Sequence, residues 1–291
     1  MVKVTAAMVK QLRDMTDSPM MECKKALVEA DGDIDAAMDI LRKNGLAAAA
    51  KKAGRATNEG AIGAYISDDG TKGALVEMAC ETDFVASNAK FTTFVTNLAQ
   101  VVAEQEPADT DALLACPMNG NTVQDELTEL IHIIGENMKI VRFTTLMAPE
   151  GALSSYVHMG GKIGVLVSFS FENPDTAQNE TFKTFAHDSA MQVAATAPVA
   201  ATREEVPAET VEHEMTLYKE QAAESGKPEN IQQRMAEGRM NKYYKNFVLE
   251  EQEFVKDTSM TVSQYEKQAS KAVGDNVKIV AFKRLMRGEA N

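Results

Sequence analysis

Two stretches of this chain repeat one another, and that duplication constrains the fold more than any other feature. Gly60-Ala-Ile-Gly-Ala-Tyr65-Ile66 returns 91 residues later as Gly151-Ala-Leu-Ser-Ser-Tyr156-Val157. The same offset carries Gly73-Ala-Leu-Val76 onto Gly164-Val-Leu-Val167, Phe91 and Phe94 onto Phe182 and Phe185, and Val102 onto Val193. A closing pair, Gly135-Glu-Asn-Met-Lys-Ile-Val-Arg-Phe143 and Gly274-Asp-Asn-Val-Lys-Ile-Val-Ala-Phe282, stands 139 residues apart, so the second copy holds 48 more residues. Each copy has apolar, β-branched runs around turn residues, which predict a hairpin. Helical spacing follows from Phe91 and from Phe182. Lys-Ile-Val-x-Phe predicts a last strand. The expected class is α+β, a duplicated core of antiparallel sheet with helices packed on it.

The extra residues lie between Ala197 and Ser259. Val211, Met215, Tyr218 and Ala222 recur at three or four positions, Gly226-Lys-Pro228 interrupts, and Ile231, Met235, Tyr243, Tyr244 and Phe247 resume the pattern. This predicts a coiled-coil αα-hairpin inserted in the second half at about 198–258. Whether it is a contact arm, a dimer surface or a self-packed appendage stays open.

Before the repeat, residues 1–45 predict three short helices. Thr5 can cap the first, with Met8, Leu12 and Met15 on one face. Asp17-Ser18-Pro19 is a break, with Pro19 suited to an early helical position. Ala26, Leu27 and Ala30 are available for packing in the second helix. Asp33 can cap the third, which carries Ile34, Ala37, Met38 and Leu41 and is expected to stop at Asn44-Gly45. Leu46 to Glu59 is expected to be a helical tail or linker. The expected units are 1–56, 57–149 and 150–291.

A net charge of −13 argues against direct contact with nucleic acid, where clustered Lys and Arg are needed. Residues 1–56 run against that trend, with ten Lys/Arg and eight Asp/Glu, a pattern suited to a charged partner surface. No run reaches the roughly 18–20 apolar residues of a membrane span, and no signal peptide is evident, so a cytoplasmic place is expected. Three scattered cysteines and four isolated histidines point to reduced thiols and to no metal or other cofactor.

Few residues offer chemistry. His158-Met-Gly160-Gly161-Lys162 could expose amides to phosphate. It joins two strands, however, and its counterpart Asp68-Asp69-Gly70-Thr71-Lys72 would repel an anion, so a hairpin turn is the better account. Cys80 lacks a neighbouring base and fits a small buried side chain. Glu77 and Glu81 would share one face of a strand, with no further acid or base in view.

Thr82-Asp83-Phe84-Val85 differs from these. It leaves the strand Ala74-Leu-Val-Glu-Met78 and precedes a helix expected near Ser87-Asn88. The bland reading has Asp83 capping that helix and Phe84 buried. The second copy has Asn173-Pro174-Asp175-Thr176 there, without an aromatic. The same scaffold closes without this Phe, so the loop reads as a probe that enters a partner.

Leu12-Arg13-x-x-Thr16 followed by Met20-Met21-Glu22-Cys23-Lys24-Lys25-Ala26-Leu27 resembles one signature of the bacterial elongation factor Ts family. Glu77-x-x-Cys80-Glu81-Thr82-Asp83-Phe84-Val85 resembles another, and Tyr156-Val-His158 with Lys162-Ile-Gly-Val-Leu-Val167 matches the second core half. Asp17-Ser18-Pro19, Ala79 and Ser87 depart from the residues usual there. The resemblance implies a guanine-nucleotide exchange factor for elongation factor Tu, not an enzyme, with a ubiquitin-associated-like (UBA-like) N-terminal module. It implies that Arg13, Met20 and Met21 contact the partner's nucleotide-binding domain and His158 a second region. Thr82, Asp83, Phe84 and Val85 would press on a partner helix and displace its magnesium. A homodimer through the second core half or the coiled coil stays open. Two other readings also stay open: a hydrolase or transferase using Cys80, and a passive chaperone of the same partner.

Overall fold

The computed structural model describes residues 3–289. Three helices come first: α1 (Ala6–Thr16), α2 (Met20–Glu29) and α3 (Ile34–Lys52). Thr5 Oγ1 accepts from Met8 N–H and Asp33 Oδ1 from Ala36 N–H, each satisfying an amide that a helix start leaves unpaired. Val9, Leu12, Cys23, Ala26, Leu27, Ala37 and Leu41 form the small core beneath.

Three local expectations need correction. Met15 is exposed, because it sits in the last turn of α1, past the stretch buried through Val9 and Leu12. Pro19 is the cap residue before α2 rather than a residue inside it. Asn44-Gly45 does not end α3, which runs seven residues further to Lys52. Gly45 is buried and helical, and a Cβ placed on it would lie 3.5 Å from Cβ and Cγ of His132. Gly45 is thus an ordinary helical position facing α7 with room for a methyl group, not a left-handed cap.

The first core half runs β1 (Glu59–Ile66), β2 (Lys72–Cys80), α4 (Asp83–Ala86), α5 (Ala89–Gln105), α6 (Thr110–Ala115), β3 (Pro117–Met118), β4 (Asn121–Thr122), α7 (Val123–Ile134) and β5 (Met138–Met147). The second runs β6 (Gly151–His158), β7 (Ile163–Ser170), a 3₁₀ turn at Pro174–Gln178, α8 (Glu180–Thr196), α9 (Ala208–Ala223), α10 (Glu229–Phe247), β8 (Glu253–Phe254), β9 (Asp257–Thr261), α11 (Val262–Val273) and β10 (Lys278–Met286). Both main sheets are antiparallel, in order β1-β2-β5 and β10-β7-β6, with the hairpin's second strand central in each.

The duplication reaches fine detail. Thr122 and Thr261 both build capping boxes, and Gly135 and Gly274 both close helices in the left-handed conformation. The register shifts at Val141 in one last strand and at Val280 in the other. Both valines are exposed, as residues set in a bulge outside the pairing ladder.

Four layers result. Helices α5 and α7 cover the outer face of the first sheet, through Phe91, Phe94, Leu98, Leu127 and Ile131. Helices α8 and α11 cover the second, where Phe169 packs edge-on against Phe182 and Phe185. The two sheets meet through Ile62, Leu75, Leu166 and Leu285. They can approach because Gly164 has no side chain: a Cβ there would stand 2.4 Å from Ile62 Cγ2.

A buried ion pair fastens the halves. Arg142 Nε donates to Glu77 Oε2 at 2.7 Å, Arg142 Nη2 donates to the Met286 carbonyl at 2.9 Å, and Gly288 N–H donates to Glu77 Oε1 at 2.9 Å. Glu77 therefore has a structural partner, and Glu81 lies beyond the end of β2 rather than on its face.

Helices α9 and α10 pair as an antiparallel hairpin through Val211, Met215, Tyr218, Met240 and Tyr243. The paired helices span 208–247. The flanks of the inserted stretch return to the core, where Leu249 is buried and Phe254 stacks on Tyr265 at 4.5 Å. Among the described residues, no helix is long and apolar enough to cross a membrane.

Candidate functional site

The turn after β2 is a helix, not a loop. Residues Asp83–Ala86 form the single turn of α4, and Asn88 caps α5 behind it. Thr82, rather than Asp83, is the cap: its Oγ1 accepts from Val85 N–H at 3.3 Å. Asp83 occupies the first helical position, exposed, where a carboxylate favours the positive end of the helix dipole. Val85 is buried in the first-half core and anchors the turn. Phe84 points the other way and is 83% exposed.

Thr82 is held from beneath. Its N–H and that of Glu81 donate to Glu136 Oε2 at 3.0 and 3.1 Å, and its hydroxyl donates to Glu136 Oε1 at 2.6 Å. The Cys80 thiol donates to the Thr82 carbonyl at 3.2 Å. Glu81 Oε1 accepts from Asn137 N–H at 2.5 Å and from Arg55 at 3.4 Å. Strand end, helix turn and the start of β5 are thus laced together.

Burial, helped by the Glu136 and Glu59 carboxylates, pushes the Cys80 thiol up to about 12. A thiol held protonated across the working range is no nucleophile, and this one donates to a backbone carbonyl. The hydrolase reading loses its candidate residue. Among the described residues, no three His, Cys, Asp or Glu side chains come together as a metal site.

The N-terminal helices bring their candidates to the same region. Asp17, the left-handed residue closing α1, pairs with Lys90 in the first turn of α5, six residues beyond Phe84. Glu22 in the first turn of α2 stands 3.1 Å from His132 Nε2 on α7. Met20 and Met21, between Asp17 and Glu22 in sequence, are both at least half exposed. Arg13 is exposed in the last turn of α1.

His158 ends β6, its Nδ1 2.9 Å from the Tyr156 hydroxyl and its ring stacked on Tyr156. The glycine-rich run after it is a hairpin turn between β6 and β7. Its backbone is committed: the Gly161 carbonyl accepts from Ile62 N–H at 2.7 Å, and Lys162 O accepts from Arg287 N–H at 2.9 Å. Ile62 pairs with Glu77, three residues before Cys80, roughly 10 Å of strand. His158 therefore lies towards the same end of the core as Thr82.

Sequence reasoning missed Glu136. Its signal was present in the closing repeat, where an acid follows glycine in both copies, Gly135-Glu136 and Gly274-Asp275.

A family model described as Elongation factor TS matches residues 81–289. The elongation factor Ts of Trichlorobacter lovleyi is 45% identical over 289 residues, covering 98% of this chain and 93% of that protein. Those of Clostridium kluyveri and Clostridium botulinum are 46% and 43% identical with the same coverage.

Proposed function

The chain belongs to the elongation factor Ts family, and from that premise we propose that it is a guanine-nucleotide exchange factor for elongation factor Tu, not an enzyme. It binds the GDP form, disturbs the magnesium and phosphate site, and releases GDP so that GTP can load during translation elongation. The observation that carries this reading is Phe84: a large apolar side chain 83% exposed on a turn anchored by the buried Val85 and the hydrogen-bonded Thr82. An aromatic left in water on a rigid mount is suited to burial in a partner.

The physics needs no bond-making in this chain. A G protein holds GDP through backbone donors and a magnesium ion bridging phosphate and protein oxygens. A factor that prefers the nucleotide-free form weakens GDP binding by the same factor with which GDP weakens its own binding. In this proposal Phe84 supplies apolar area and Asp83 an acceptor aimed outward, since Thr82 already serves as the cap. Thr82 and Val85 hold both in place. Arg13, Met20 and Met21 contact the nucleotide-binding domain, and His158 a second region.

We further propose a UBA-like module and linker at 1–56, core halves at 57–149 and 150–291, and α9–α10 as a coiled-coil arm. A cytoplasmic place and the absence of direct nucleic-acid contact follow from the role and from the acidic charge.

Stopped-flow release of fluorescent GDP from elongation factor Tu, with and without the protein, tests the reading. Acceleration that saturates with protein concentration is expected. Binding without acceleration would mean a passive chaperone.

A further inference from the structure

We propose that Glu136 is a positioning residue for exchange, fixing through the Thr82 hydroxyl the direction in which Phe84 leaves the core. The inference rests on the reading of Thr82–Val85 as the partner-facing turn. Glu136 is half-buried between α7 and β5, 54 residues from Thr82 along the chain. A hydroxyl has one proton, and Thr82 gives it to Glu136 Oε1 at 2.6 Å. The oxygen lone pairs are then turned towards Val85 N–H. The carboxylate thus decides which way the cap faces. Helix α4 is one turn long, too short to sustain itself by propagation, so it inherits its orientation from its cap and its Val85 anchor.

The second copy supplies an independent comparison. Asp275, the counterpart of Glu136, accepts from Glu172 N–H at 3.1 Å, Asn173 N–H at 3.0 Å and the Thr176 hydroxyl at 2.6 Å. The carboxylate clamp is thus present in both halves, and the aromatic in only one. The clamps differ at the cap. Asp275 bonds the backbone N–H of the capping residue Asn173, whose own side chain accepts from Asp175 N–H without touching the carboxylate. Glu136 holds the side chain of the capping residue itself. A purely structural clamp would have similar consequences in both halves; a positioning clamp affects exchange only where the turn carries Phe84.

The test is a double-mutant cycle on stopped-flow GDP release from elongation factor Tu, using the full chain with Glu136→Ala, Phe84→Ala and both. Glu136→Ala is expected to slow release at saturating protein about tenfold, as befits loss of charge-assisted hydrogen bonds, with a smaller change in the half-saturating concentration. Added to Phe84→Ala, it is expected to slow release less than about twofold further, because the residues act as one unit. Asp275→Ala removes the equivalent clamp and is expected to leave release within about twofold of the parent. Should Glu136→Ala fail to fold, Glu136→Gln is run through the same cycle, with roughly threefold slowing expected. Multiplicative effects, or equal slowing by Asp275→Ala, would overturn the proposal. If Phe84→Ala slows release and the Glu136 variants do not, the positioning role alone is wrong. If Phe84→Ala leaves release unchanged, the reading of the turn fails and takes this inference with it.

Discussion

Truncating Phe84 to alanine separates a partner probe from a core residue by two measurements that move in opposite ways. Full burial of a phenylalanine is worth about 1.5–3 kcal/mol. Phe84 is 83% exposed, so the fold holds about a sixth of that. The cost to stability is about 0.5 kcal/mol or less, and alanine's higher helix propensity offsets part of it in α4. At about 2–4 °C per kcal/mol for a domain of this size, the melting temperature shifts by less than about 2 °C. A core Phe→Ala change would cost about 3–5 kcal/mol and lower the melt by about 6–20 °C. In the complex the full wedge area is at stake, and its loss slows GDP release by roughly ten- to 150-fold. Circular-dichroism melting and stopped-flow release on one preparation give both numbers. Unchanged release, or a melt lowered by more than about 6 °C, would refute the reasoning.

Other consequences follow from the same geometry. Gly45→Ala should raise stability by about 0.5–1 kcal/mol in urea unfolding, because the position is helical and a Cβ there meets His132 only at 3.5 Å; a loss of stability would mean that the α3–α7 contact has no room for the methyl group. Glu77→Ala should cost about 3–5 kcal/mol, since it removes the carboxylate from a pair whose side chains are 4% and 13% exposed; a melt lowered by less than about 3 °C would mean the halves do not depend on it. Asp275 is held down to about 2, chiefly by the Thr176 hydroxyl and then by backbone amides. Its stabilisation is present above the unfolded carboxylate range near 4 and is lost as pH falls through about 4 to 2. Asp275→Asn should therefore lower stability at pH 5 and flatten the decline between pH 4 and 2; an unchanged slope in urea melts would remove Asp275 from the acid response. Replacing residues 208–247 by a short glycine linker should leave the core folded, because Leu249 and Phe254 stay in place. Light scattering on that variant tests the arm as a dimer surface, and a mass unchanged from twice the chain would exclude it.

What could be read beforehand was whatever the chain states twice. Phe91 and Phe182, Val102 and Val193, and the two Lys-Ile-Val strands announced equivalent core positions, and each pair occupies equivalent sites. What misled was local chemistry with two physical meanings. Asn44-Gly45 carries a helix-stop signal, yet α3 continues through it because its later turns pack on α7, a long-range contact that local spacing does not show. Thr82 and Asp83 can both cap a helix; the choice depends on which carbonyl, amide and carboxylate lie beneath.

The duplication also explains why the site sits where it does. Both halves close the step from central strand to helix with a carboxylate donated from the far end of the repeat, Glu136 in one and Asp275 in the other. That long-range clamp satisfies the amides leading into the turn, so a single buried side chain, Val85 in the first half, is enough to anchor it. In the second half the freed turn is a plain 3₁₀ segment led by Pro174. In the first it carries Phe84, and Lys90 just behind it draws in Asp17 and with it Met20 and Met21. A scaffold that stabilises its turns from a distance can therefore leave an aromatic in water at one of them, at little cost to the fold.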